Sequence, residues 1–326
     1  MYRALFFCFL LASCAKRSTE PLPASGRLNT ISVIIDDALW NGEIGDSLRN
    51  KFAAPVIGLP QEEPQFTINQ YPARLLEGFM TNSRNIIVIK KGVSQDFRIV
   101  SDEYAKPQHV YHLSGMNTQE IVSVLQAHAA EMSAMMHQTE IAEAQRRIDT
   151  AKISDKPLRR KFSIGLDIPT GYRYALQGDR FMWLKKDIVS GNMSVMVYAM
   201  PPQCLARDHD AVRNIVNMRD SIGSRYIHGT VPGSSMITEP AYAPYLDHTS
   251  IAGRKALVTR GSWELRNDYM SGPFVNYAIS DKPNQRIIVL EGFCYAPSKD
   301  KRDLMLELDA IIRSVKFIKR PMVKKR

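Results

Sequence analysis

The chain has 326 residues, 44% of them hydrophobic and 23% charged, with a formal net charge of +10. That composition excludes an intrinsically disordered chain, and the length leaves room for two domains. The basic balance would suggest nucleic acid in a cytoplasmic protein, so the first segment decides how the charge is to be read.

The sequence begins MYRALFFCFLLASCAKRSTEPLPASG. Arg3 supplies one positive charge, and an uncharged apolar run follows from Ala4 to Ala12. The run falls far short of the roughly 20 residues that cross a bilayer, so it reads as the core of a secretion signal, residues 1–13. Leu11, Ala12, Ser13 and Cys14 have the order leucine, small, small, cysteine. This resembles the lipobox of bacterial lipoproteins. The resemblance implies cleavage before Cys14, a diacylglyceryl group on its thiol and an acyl group on the new amine. No cofactor beyond these lipid groups is expected. The absence of Asp after Cys14 implies, by the same resemblance, the outer membrane and its periplasmic side. Lys16 and Arg17 stand where surface-displayed lipoproteins carry acidic residues. Two acyl signals give a stable anchor where one gives marginal binding. Residues 14–29, rich in proline and small polar side chains, are expected to form a flexible tether. An exported protein should not meet nucleic acid, so the charge is left to anionic lipid, acidic glycan or simple solubility.

The first domain is expected over residues 30–153. SVIID reads as a strand, and GEIGDSLRNKF as a helix with Ile44, Leu48 and Phe52 on one face. FTINQYP, NIIVIKKG, DFRIVSDEY and QHVYHLSG are further strand candidates. Asn117 and Glu120 then have capping-box spacing before a long helix whose stripe runs through Val122, Leu125, Ala129, Met132 and Met136. The stripe fades beyond Thr139, where the helix could break. Met132, Met135 and Met136 suit a plain core better than an adaptable binding groove.

SDKPLRRK, residues 154–161, reads as a linker, and residues 162–317 as the second domain. Its strands are expected in GYRYALQGDRFMWLKKD, NMSVMVYAMP, GRKALVTRGSWELRN, PFVNYAIS and RIIVLEGFCYAP. Its helices are expected in AVRNIVNMRDSIG, with Val212, Ile215, Val216 and Ile222 inward, and in KDKRDLMLELDAIIRSVKF. Residues 318–326 are a basic tail that attracts anionic head groups or is merely solvated. Runs of strands with helices packed on them give an α+β class, each domain a mainly antiparallel sheet with helices.

From ISVIIDDALWNGEIGDSLRNKF through GRKALVTRGSWELRNDYMSGPFVNYAI, the chain resembles a family of cell-envelope lipoproteins known only as a domain of unknown function. That resemblance implies no activity. The second half, FSIGLDIPTGYRY through LDAIIRSVKF, resembles the PsbP-like fold in two features. These are a Pro-x-Gly-aromatic turn at Pro169–Tyr172 and a closing Ser-Val-Lys-Phe at Ser314–Phe317. The resemblance implies an α/β/α sandwich around an antiparallel sheet and a binding or assembly factor rather than an enzyme.

Candidate chemistry is sparse. Asp36, Asp37, Glu43 and Asp46 are the densest acidic group, but they match no calcium loop. His109 and His112 fall on opposite faces of a strand, and His128 and His137 are too far apart along one helix to share a metal. Ser298 and Lys301 spell Ser-x-x-Lys without its companion motifs, and capping explains Ser298. Tyr172, Tyr174, Phe181 and Trp183 could stack on sugar, although core packing accounts for them. Cys204 and Cys294 either bond, worth about 4–5 kcal/mol in the loop-entropy model, or are two buried thiols. No catalytic residue and no metal ligand is assigned. The expected function is a non-enzymatic lipoprotein of the outer membrane that binds or scaffolds an envelope protein, glycan or lipid. The alternatives are an envelope hydrolase or transferase with a dispersed site, and a periplasmic ligand carrier.

Overall fold

A computed structural model describes residues 22–75, 78–206 and 210–318. Cys14 and residues 319–326 of the basic tail lie outside these.

The N-terminal half builds a five-stranded sheet from β1 (Thr30–Ile34), β2 (Thr67–Tyr71), β3 (Asn85–Lys91), β4 (Asp96–Ser101) and β5 (His109–Gly115), in the order β2-β1-β3-β5-β4. Helix α1 (Glu43–Phe52) lies between β1 and β2 in sequence. The α+β class holds, but the direction of pairing in this half corrects the expectation. The β1–β2, β1–β3 and β3–β5 ladders are parallel, and β4–β5 alone is antiparallel. The reason is coverage on both faces. Ile87 and Ile89 pack under the helices, while Ile86 and Val88 pack with Ile34 and Val110 on the other side. A strand buried on both faces loses the alternation that marks a half-exposed antiparallel strand.

Helix α2 (Thr118–Asp149) is unbroken for 32 residues, about 48 Å at 1.5 Å per residue. Asn117 accepts a hydrogen bond from the Glu120 amide at 3.0 Å, and the Glu120 carboxylate accepts from the Met116 amide at 3.0 Å. The stripe Val122, Leu125, Ala129, Met132, Met136 fills the N-terminal core, so the methionines are packing residues. Beyond Thr139 the helix changes partner rather than ending: Ala144 and Ile148 belong to the C-terminal core. The apolar stripe fades because Glu140 and Glu143 occupy buried positions between the two cores.

Two stretches expected to be loose are ordered. In residues 22–29 of the expected tether, Leu22 and Pro23 pair with Ala105 and Lys106, and the Asn29 amide donates to Glu140. The expected linker forms α3 (Lys156–Phe162), because Leu158 and Phe162, one turn apart, bury in the C-terminal core.

The C-terminal half has an eight-stranded sheet whose ladders are all antiparallel. Its strands are β6 (Arg173–Gln177), β7 (Phe181–Ile188), β8 (Gly191–Met200), β9 (Ser235–Thr238), β10 (Tyr245–Ile251), β11 (Arg254–Arg266), β12 (Ser271–Asp281) and β13 (Arg286–Tyr295). The order is β9-β11-β12-β13-β8-β7-β6, with β10 also on β11. Helix α4 (Ala211–Tyr226) covers one face through Ile215 and Met218, and α5 (Arg302–Arg313) covers the other through Leu308, Ile311 and Ile312. This is the expected α/β/α arrangement. The inward side of α4 differs from the expected one: Asn214 and Arg219 are buried there, while Val212 and Val216 are only half-buried.

The halves are stitched together at the start of α5. Glu63 accepts from the amides of Lys301 at 2.7 Å and Arg302 at 2.8 Å, capping that helix from the other domain. Asn29 donates to Asp303 at 2.8 Å, and Arg302 donates to the Pro64 carbonyl at 2.9 Å.

Candidate functional site

Between the halves lies a cleft of about 550 Å³, within the size range of small-ligand pockets. Two helix faces form its walls. Ala134, His137, Gln138, Ile141, Ala142 and Gln145 recur at three and four residues along α2, and Arg302, Met305, Leu306, Asp309 and Arg313 do the same along α5. Such spacing puts each set on one side of its helix. The C-terminal sheet adds Tyr245 and Asp247 from β10, Arg260 from β11 and Val275 from β12, and the loop Val56–Leu59 closes one end. Gly58 has φ +86°, and a Cβ built there would stand 2.9 Å from the Arg260 Cβ. The loop's approach to β11 therefore depends on glycine twice, for its backbone angle and for its missing side chain.

The floor is aliphatic, with Val56, Leu59, Ile141, Met305, Leu306 and Val275, and the polar groups sit around it. Asp309 is committed: one carboxylate oxygen accepts from the Tyr277 hydroxyl at 2.6 Å and from Arg313 Nε at 3.1 Å. Burial would lower the Arg313 pKa, but Asp309 and Tyr277 raise it on balance. Burial pushes the Tyr277 hydroxyl far up, with Asp309 adding to the effect. His137 lies against Phe66, ring centroids 4.6 Å apart, with Nε2 3.3 Å from Gln65 Oε1. Its pKa is lowered, first by burial and then by the charge of Arg260, with Asp309 opposing and Arg313 lowering it further. Arg260 is the least engaged cation. Among the described residues its side chain makes no hydrogen bond, and its nearest carboxylate is the largely exposed Asp247 at 4.0 Å.

The residues singled out in the sequence do not assemble here, His137 excepted. Cys204 sits under α4 and Cys294 faces α5, on opposite faces of the sheet, so of the two readings the bond is not made and both are buried thiols. Their sulfur contacts are methionines, Met218 at 3.6 Å and Met305 at 3.9 Å. Burial pushes the Cys294 thiol up to about 12, which makes it unreactive. Ser298 is exposed and does not cap the helix. The helix begins at Arg302 under Glu63, and Lys301 Nζ is held by Gln61 and the Lys299 carbonyl. In the acidic group Asp37 accepts from Gln70 and Asp46 pairs with Arg49. His109 meets Thr139, His112 meets Glu103, and His128 stacks on Phe97. The four aromatics divide between the faces: Tyr172 and Tyr174 bond toward Glu307 and Ser154, while Phe181 stacks on Tyr226 and Trp183 packs on the α4 side.

The cleft cations were missed because α2, β11 and α5 are far apart in sequence. One signal was available. Ala256, Val258 and Arg260 alternate on the same face of β11, so an arginine occupies an inward position.

Residues 151–314 match the family described as Domain of unknown function (DUF4837), and residues 24–149 match Domain of unknown function (DUF8532). No curated protein matches the chain. Among solved structures, the solution structure of cyanobacterial PsbP (CyanoP) from Synechocystis sp. PCC 6803 is similar at 8% identity and TM-score 0.32, over 48% of this chain and 86% of that one. The crystal structure of LpqN, involved in cell envelope biogenesis of Mycobacterium tuberculosis, is similar at 11% identity and TM-score 0.28, over 47% of this chain and 81% of that one.

Proposed function

The chain belongs to the DUF4837 family, and from that premise we propose that it is a non-enzymatic envelope lipoprotein, anchored through Cys14, whose two domains bind a ligand in the cleft between them. The observation that carries the reading is the cleft itself: an aliphatic floor of ligand-site size, ringed by a few polar groups from both domains. Of the two carboxylates in its lining, Asp247 is largely exposed and Asp309 is held by Tyr277 and Arg313. An acid or base in catalysis has to reach a substrate proton, whereas Asp309 braces the wall. The anchor rests on the order Leu11, Ala12, Ser13, Cys14. No helix among the described residues is long and apolar enough to cross a membrane. The outer membrane, on its periplasmic side, is the proposed location.

Mass spectrometry of the chain released from native membranes tests both parts. The N-terminal peptide is expected to start at Cys14 with diacylglyceryl and acyl groups, and Cys14→Ser is expected to leave the membrane fraction or stay unprocessed. The intact chain, sprayed under native conditions, is expected to carry an additional non-covalent mass that Ala142→Trp removes by filling the cleft. An unmodified N-terminus removes the anchor. No additional mass, or the same mass in Ala142→Trp, removes the cleft.

A further inference from the structure

The cleft's chemistry narrows its ligand. Of its charged side chains, Arg302 is spent on the Pro64 carbonyl, Thr67 and Asp303, and one oxygen of Asp309 is engaged by Tyr277 and by Arg313 Nε. Arg260 and Arg313 remain with unused guanidinium hydrogens, since Arg313 donates through Nε alone and Arg260 donates to no described residue. Arg260 pairs with Val275 in the β11–β12 ladder, two residues from Tyr277 on the same face, and the Arg313 guanidinium lies 5.6 Å from the Tyr277 ring centroid. The two cations therefore line the same part of the cleft. His137 adds no compensating negative charge, and Asp247 stands at the rim, 4.0 Å from Arg260 and mostly in solvent. A half-buried guanidinium that lacks an acceptor is poised for a charge-assisted bond to an oxyanion, and such bonds are roughly twice as strong as neutral ones. Beside this cationic end lie Ile141, Met305, Leu306, Val56 and Leu59, which offer aliphatic surface and no acceptor to a polar ligand.

Resting on the cleft reading above, we propose that the ligand is a single-chain amphipathic anion, an aliphatic chain ending in a carboxylate or phosphate, with its head group between Arg260 and Arg313 and its chain along α2 and α5. Charge complementarity selects the head, and the burial of methylene groups on the aliphatic floor holds the tail. A small anion alone would leave the floor unused, and a cationic amphiphile would face two guanidiniums with Asp309 already occupied.

Photolabelling of the full chain in its membrane provides the test. The probes are a twelve-carbon carboxylate bearing a diazirine and the same chain ending in trimethylammonium, with label mapped by peptide. The carboxylate probe is expected to label peptides containing Ile141 and Met305. Dodecyl phosphate is expected to compete, and inorganic phosphate at equal concentration is not. Arg260→Gln is expected to lower this labelling about tenfold or more, the weight of one charge-assisted hydrogen bond, while Arg260→Lys retains most of it. Since the Arg260 side chain makes no hydrogen bond and only a long, exposed ion pair with Asp247, its variants are expected to keep the parent's melting midpoint. Ala142→Trp should block both probes. Equal labelling by the trimethylammonium probe, or carboxylate labelling unchanged in Arg260→Gln, overturns the anionic head group and leaves the cleft as a site for another amphiphile. Competition by inorganic phosphate as strong as by dodecyl phosphate overturns the chain. If neither probe labels the cleft, the amphiphile assignment fails, and the co-purifying mass described above decides separately whether the cleft binds anything.

Discussion

In the N-terminal half Arg84 and Glu140 are buried together at 2.9 Å, and in the C-terminal half Arg219 and Glu291 are buried together at the same distance. The surroundings differ. The Glu140 oxygens accept from Arg84 Nε and Nη2, from the Asn85 side chain and from the Asn29 amide, while Arg84 also donates to the carbonyls of Gly26 and Arg27. This pair ties the chain's entry, the start of β3 and the middle of α2 into one knot. Glu291 accepts from Arg219 and Asn276, but among the described residues Arg219 Nη2 and Asn276 Oδ1 have no partner, and the guanidinium lies 3.9 Å over the Phe274 ring. Burial raises the Glu291 pKa against the pull of Arg219 and Asn276. One pair organises the backbone at Gly26, Arg27 and Asn29, and the other fixes a helix to a sheet that is already hydrogen-bonded.

The largest expected effect follows from cutting the first knot. Glu140→Ala should cost about 3–5 kcal/mol, since it strands a buried guanidinium and an amide at once; urea unfolding reads it directly. Replacing whole pairs sharpens the contrast. Arg219→Met with Glu291→Met should be neutral or stabilising, by up to about 4 kcal/mol, as apolar substitutes for buried ion pairs often are. Arg84→Met with Glu140→Met should still destabilise by about 1–3 kcal/mol for each buried backbone group left unpaired. Equal shifts in the two double variants would show that the extra hydrogen bonds around Glu140 carry no weight.

A smaller effect is expected at the seam. Glu63→Ala removes the acceptor for the first amides of α5 and should cost about 1 kcal/mol, the usual value of an N-cap. Because Glu63 belongs to one domain and the helix to the other, the loss should appear as faster amide exchange at Lys301 and Arg302. Unchanged exchange there would mean that Glu63 stabilises only its own loop.

What the sequence made legible was local. The spacing of Ile44, Leu48 and Phe52 and the Asn117–Glu120 cap each needed only neighbouring residues, and each element forms where expected. The parallel pairing of β1, β2 and β3 was hidden because buried strands such as NIIVI show no alternation from which to infer a partner. The knot around Glu140 was hidden too, because its donors come from Asn29, Arg84 and Asn85, more than fifty residues away along the chain. The same distance explains why residues 22–29, disordered by composition, are ordered by contact. The cleft is the extreme case: it depends on α2 and α5 sharing a groove, and that arrangement is a property of the packed domains.

The smallest effect belongs to His137, where the two halves meet, and it separates the seam from the cores by its pH dependence. Burial and the neighbouring Arg260 and Arg313 lower its folded pKa, while Asp309 opposes them. In the unfolded chain a histidine titrates near about 6.5. The folded state therefore binds its proton less readily, and the stability that His137 allows is fully present above about 6.5 and is lost as the pH falls through the lowered folded value. The melting midpoint of the parent should drop across that acidic window, and His137→Leu should flatten this part of the profile while leaving the alkaline side unchanged. A slope unaltered by His137→Leu would place the acidic sensitivity in the domain cores instead of at the cleft.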